Sequence, residues 1–162
     1  RFDGVIPDGG EPGEHEAWLA GEVDQRLKAI AAHYEAMEFR KAGVETRALW
    51  AAGNEYLTRA EPWSHFKTDK DTAAVGVRTG INLAVLSAII AQPVIPETAA
   101  KILDAVGVPQ DQRDWPGAPA AELLDALPRG SAFEVPDVLF KKIEDEAVAE
   151  WTARFGGSED AA

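Results

Sequence analysis

Residues 81–91 read Ile81-Asn82-Leu83-Ala84-Val85-Leu86-Ser87-Ala88-Ile89-Ile90-Ala91, interrupted only by Asn82 and Ser87. At 3.6 residues per turn these side chains cannot share one face, so a helix built from them is apolar on nearly every side. Such a helix belongs at the centre of a bundle. It stops before Pro93 and falls short of the 18 or so uncharged apolar residues that a membrane helix needs. Upstream, the same helix begins near Asp69 or Asp71, either of which can cap it.

Working towards the N-terminus, a second helix is expected from about Ala36 to Arg59, stopped by Pro62. Phe39, Thr46, Trp50 and Leu57 lie on one stripe, where Gly43 and Gly53 allow a close helix approach. Before it, Leu19, Val23, Leu27, Ile30 and Tyr34 recur at spacings of three and four, the face of an amphipathic helix starting at Glu14. Residues 1–13 are glycine- and proline-rich and form a loop, the remnant of an upstream connection.

Working the other way, Pro96 sits where a first helical residue is favoured. Ala99, Ile102, Leu103 and Val106 complete a short helix closed by Gly107. Residues 108–137 hold five prolines, one weak helical run from Ala120 to Leu127, and an extended stretch over Ser131–Val135. A last helix is expected from Lys141 to Phe155, and residues 156–162 form a flexible tail. The fold class is all-α: an antiparallel bundle of four to five helices over residues 14–155, with an irregular C-terminal segment and a final helix.

The 162 residues fit one domain, and the hydrophobic content of 46% is that of a globular chain. The absence of cysteine excludes disulfides, thiolate zinc sites and cysteine nucleophiles. His15, His33 and His65 are too scattered for a metal site. No phosphate-binding glycine loop and no His-Glu-x-x-His pair occur. Glu144-Asp145-Glu146 reads as a solvated surface, and the neighbours Ser64 and His65 do not make a working dyad. No catalytic residue, cofactor or metal is therefore assigned to this chain. Arg1-Phe2-Asp3-Gly4 is no signal peptide. The chain reads as a soluble, cytoplasmic piece of a longer protein, with no membrane partner.

A net charge of −12 argues against a general nucleic-acid binder. The charge is unevenly spread, however. Residues 40–80 carry seven basic and five acidic side chains, whereas both flanking segments are strongly acidic. A polyanion would meet the protein along this middle third.

That third contains Ala51-Ala52-Gly53-Asn54-Glu55-Tyr56-Leu57-Thr58-Arg59-Ala60-Glu61-Pro62-Trp63-Ser64-His65-Phe66-Lys67. The segment resembles the Asn-x-Tyr-(x)5-Pro-Trp-(x)3-Lys signature in the α-helical anticodon-binding domain of methionyl-tRNA synthetase, a class I aminoacyl-tRNA synthetase. Asn82-Leu83, Gln92-Pro93-Val94-Ile95-Pro96, Val106-Gly107 and Val138-Leu139-Phe140-Lys141-Lys142-Ile143-Glu144 continue the resemblance, which covers roughly residues 14–146.

The resemblance implies that Trp63 contacts the anticodon of a methionine tRNA. Pro62 would fix the backbone, and Asn54 would belong to the same signature, either at the RNA or hydrogen-bonded to the turn at Pro62. The physics agrees, because an unpaired base needs a rigid, partly exposed aromatic surface on which to stack. Arg40, Lys41, Arg47, Arg59, Lys67 and Lys70 are candidates for phosphate contacts. Tyr56, Trp18, Trp50, Trp115 and Trp151 are assigned to packing.

His-Ile-Gly-His and Lys-Met-Ser-Lys-Ser, the nucleotide-binding signatures of the family, are absent here. The resemblance therefore places an ATP- and magnesium-using catalytic domain upstream, as a partner of this domain in a monomeric parent. It also implies an anticodon-reading helix before Arg1, whose removal would expose an apolar groove and promote association. Two other readings stay open: a helical protein–protein docking module with Trp63 in its core, and the equivalent domain of another class I synthetase.

Overall fold

The structure is a computed structural model that describes residues 2–156. Leu19, Val23, Leu27 and Ile30 line the buried side of α1 (Glu14–Glu35), the face expected from their spacing. A three-residue link returns the chain into α2 (Phe39–Ala60). Cross-helix bonds pair Glu16 with Tyr56, Arg26 with Glu45 and His33 with Glu38, so the two helices run antiparallel.

α2 departs from expectation in two ways. It starts at Phe39, because Met37 takes a left-handed conformation (φ 58°) and ends the preceding turn. Its buried stripe is Ala42, Thr46, Leu49, Gly53, Tyr56 and Ala60. Phe39 and Trp50, expected on the core side, are exposed, and Gly43 faces open space. Gly53 does mark a close approach: a Cβ there would lie 2.6 Å from Leu83 Cδ2.

A single turn, α3 (Pro62–His65), follows where only a stop was expected. α4 (Lys70–Ala91) is the central helix. Asp69 caps it, accepting hydrogen bonds from the Thr72 amide (3.1 Å) and hydroxyl (2.7 Å). Twelve of its residues are buried. It is long and apolar enough by itself to cross a membrane, but most of that stretch lies inside the bundle. Leu83, Leu86 and Ile90 of α4 join Leu19, Val23, Ile30, Leu49 and Tyr56 in the main core. Each such large side chain contributes roughly 1.5–3 kcal/mol on burial. α5 (Pro96–Val106), closed by Gly107, packs Ala99 and Leu103 against Ala88 in a smaller cluster.

The first residues, expected as a loop, form a strap against the C-terminal segment. Ile6 is fully buried, and the Ile6 N–H donates to the Ser131 carbonyl (2.8 Å) while the Gly130 N–H donates to Ile6 (2.8 Å). Val5 and Ala132 form an antiparallel bridge, so the extended stretch expected at 131–135 exists and has this partner. Arg78, almost wholly buried in α4, clamps the strap. Its guanidinium donates to the carbonyls of Pro7 (3.0 Å) and Gly9 (3.0 Å) and to Asp125 Oδ1 (2.5 Å).

The C-terminal third is irregular, as expected, but its helices are shorter. After a 3₁₀ turn at Gln110–Gln112, α6 spans Ala120–Leu123. α7 (Asp145–Phe155) starts four residues later than expected. Asp145 and Glu146 suit the positive end of a helix dipole, whereas Lys141 and Lys142 do not. α7 buries no residue, and Trp151, Trp115 and Trp50 are all substantially exposed, against their assignment to packing. The expected tail lies, after Gly156, outside the described residues.

Candidate nucleic-acid interface

The end of α2 builds the candidate site. Glu61 takes a left-handed conformation (φ 38°, ψ 51°) and its N–H donates back to the Leu57 carbonyl (3.1 Å). That conformation turns the chain sharply, and Pro62 then starts α3, where its missing N–H costs nothing. The Ser64 N–H closes the turn on the Glu61 carbonyl (2.8 Å). Pro62 is buried against Gly76 of α4, whereas the next residue, Trp63, is 55% exposed. A buried proline followed by an exposed tryptophan fixes the backbone of a large flat ring and leaves its surface open.

The surroundings hold this turn from two sides. Phe66 meets Phe2 of the strap edge to face at 5.4 Å, and the Lys70 ammonium lies 5.8 Å from the Phe2 ring. Asp69, two hydrogen bonds into its cap, is held below its ordinary value near 3.8 chiefly by the Thr72 hydroxyl and then by the Thr72 amide. Behind the turn, Tyr56 is fully buried and its hydroxyl donates to Glu16 Oε1 (2.6 Å). Burial and then the Glu16 carboxylate push its titration upward. Tyr56 is thus a packing residue with a satisfied polar end.

The six basic candidates divide. Arg40, Lys67 and Lys70 are exposed, as is Arg47. Among the described residues, Arg40 and Arg47 have no ion-pair partner, and with Asn54 they recur every seven positions on one exposed line of α2. At 1.5 Å per residue that line runs about 21 Å towards the Trp63 turn. Lys41 is paired with Glu38 (2.6 Å). Arg59 is ion-paired with Glu55 and stacked 4.2 Å from the Trp18 ring. Asn54 is exposed, and no hydrogen bond among the described residues joins its amide to the turn at Pro62.

Sequence reading missed two residues here. Arg78 counted towards the basic middle third, yet it lies in the interior opposite Asp125. Gly76 was not singled out at all. A charge beside the small residues Val75, Gly76, Val77 and Thr79, ahead of the apolar run from Ile81, was the available signal for Arg78. A polar cavity of about 430 Å³ opens beside the turn, lined by Glu11, Glu14, Asp69 and Asp71 among others. Its negative rim repels phosphates on that side.

The family model described as the anticodon binding domain of methionyl tRNA ligase matches residues 6–160. The chain belongs to this family. The methionine–tRNA ligase of Maricaulis maris is 64% identical over 162 residues, which are 99% of this chain and 28% of that protein. The Hyphomonas neptunium methionine–tRNA ligase is 58% identical over 164 residues, again 99% of this chain and 28% of the relative. The crystal structure of the free Mycobacterium tuberculosis methionyl-tRNA synthetase superimposes with a TM-score of 0.76 over 88% of this chain and 29% of that one, at 24% identity. The last likeness is one of fold. The anticodon-binding domain seen here therefore spans between a quarter and a third of the length of its relatives.

Proposed function

We propose that this anticodon-binding domain reads the unpaired CAU anticodon of methionine tRNAs, with one base stacked on Trp63. The observation that carries this reading is the exposed indole on a backbone pinned by buried Pro62 and left-handed Glu61. Arg40 and Arg47 meet phosphates along the outer line of α2, with the Asn54 amide available for a hydrogen bond on the same line. Lys67 and Lys70 add charge at the turn. Lys41 and Arg59, already engaged by Glu38 and Glu55, take part only by exchanging partners. In the whole ligase, an upstream catalytic domain attaches methionine to the bound tRNA with ATP and magnesium, as a cytoplasmic monomer.

The exposure of Trp63 weighs against a docking module with that residue in its core. The test is a titration with a methionine-tRNA anticodon stem-loop at low and moderate salt, beside a loop with an altered anticodon. Stacking contributes about 1–3 kcal/mol per base, so Trp63→Ala is expected to weaken binding about tenfold or more. Binding indifferent to both the anticodon and Trp63 would sink the proposal.

A further inference from the structure

α3 is one turn, too short to hold its own geometry, so the aim of Trp63 is set by what lies beneath Pro62. What lies beneath is the bare Cα of Gly76. A Cβ at that position would stand 3.0 Å from Pro62 Cβ, 3.4 Å from Cγ and 3.6 Å from Cδ. Three atoms of one ring at such distances describe a pyrrolidine laid flat on the glycine. The ring cannot rotate away, because Pro62 has a fixed φ and Glu61 before it is already left-handed. α4 cannot retreat either. Val75 and Thr79 are buried on either side, and Arg78 ties the helix to Pro7, Gly9 and Asp125. Any atom added at Gly76 must therefore move α3.

We propose that Gly76 is a positioning residue for anticodon recognition: its missing side chain sets the depth at which Pro62 seats, and so the placement of the Trp63 indole. The inference rests on the reading of Trp63 as the stacking surface. It explains why an apolar central helix tolerates a glycine as its seventh residue, where alanine would favour the helix.

Gly76→Ala separates positioning from stability, because the substitution raises helix propensity while it displaces the turn. The thermal midpoint is expected to hold or rise. Affinity for the CAU stem-loop is expected to fall about threefold to tenfold, since sub-ångström misplacement of a contact group weakens it. In a Trp63→Ala background the same substitution should change affinity by less than about twofold, because the displaced ring is gone. Fluorotryptophan labelling supplies a readout without RNA. The Trp63 fluorine resonance should shift in Gly76→Ala while those of Trp18, Trp50, Trp115 and Trp151 stay in place.

Titrations use the 162-residue chain and a full-length Maricaulis maris ligase in which this chain replaces the matching segment. Unchanged affinity, an equal fall in both backgrounds, or a collapse of the thermal midpoint would each overturn the positioning role. If Trp63→Ala alone leaves affinity intact while the fluorine resonance still moves, the seat of Pro62 stands and the reading of Trp63 fails.

Discussion

One exposed tryptophan stands at the middle of α2 and another in α3, just past its end, yet the two surroundings differ in kind. Trp63, just past the C-terminal end, rides on a turn fixed by a left-handed residue, a buried proline and a glycine seat. Trp50, at the middle of α2, lines an apolar groove of about 670 Å³ with Tyr34, Phe39, Pro93, Val94 and Ile95. Both rings are more than 40% exposed, so exposure does not distinguish them. Their support does: a pinned backbone presents a ring to a ligand, whereas an open apolar groove presents a surface that gains by being covered. The charges do not follow this division: the free Arg40 and Arg47 lie on the outer line of α2, and the acidic cavity opens at the Trp63 end.

The largest break in this contrast comes from the clamp behind Trp63. Arg78→Met leaves Asp125 and the strap carbonyls of Pro7, Gly9 and Gly10 without their buried donor, and should cost about 3–5 kcal/mol in urea unfolding. A loss below about 1 kcal/mol would show that the strap is not held by this side chain.

Next in size is the exchange of the two tryptophans. Trp50→Ala should leave stem-loop affinity within about twofold, against the tenfold or greater fall for Trp63→Ala. The groove should instead govern self-association. Light scattering of the 162-residue chain is expected to show a mass that rises with concentration, and Trp50→Lys should suppress the rise. A strict monomer at every concentration counts against the groove as an uncovered surface.

A smaller effect of opposite sign belongs to the turn itself. Glu61→Gly removes the clash of a side chain in the left-handed region and should stabilise the chain by about 0.5–1 kcal/mol. Relaxing the turn also sharpens the comparison, since affinity should not rise with stability.

The smallest prediction concerns acid. Asp69 titrates lower in the folded chain than its ordinary 3.8, so the unfolded chain binds its proton first. Its cap therefore stabilises fully above that value, and the contribution is lost as pH falls through the depressed folded value. Asp69→Asn keeps a capping oxygen and should flatten that part of the melting curve's dependence on pH. An unchanged slope would assign the acid sensitivity to the other carboxylates held low, Asp8 and Glu38.

What was legible in the sequence was mainly local. The stripe of α1, the Asp69 cap, Pro96 and Gly107 are each decided within a turn or two, and the structure has them where the sequence puts them. The stripe of α2 was not legible, because two stripes compete. Phe39, Trp50 and Leu57 carry more apolar surface than Ala42, Leu49 and Tyr56, but the small Ala42 and Ala52, with Gly53, let α1 and α4 approach. Closeness of packing decided between them, and hydropathy does not encode it. Pro-Trp flagged the site, whereas Gly76 and Arg78 act across distances in sequence that no local pattern spans.

The pairing of residues 4–6 with 130–133 bears on the order in which the chain folds. Val5 and Ala132 are 127 positions apart. α1 and α2 meet through a three-residue link, so their contacts close short loops at little entropic expense. The strap pairing closes nearly the whole chain and is expected to form after the helices. In pulse-labelled hydrogen exchange, the amides of Ile6, Gly130 and Phe133 would gain protection after those of Val23 and Leu49. Trp63 would then sit on a finished surface only once the chain's opening residues had found their place.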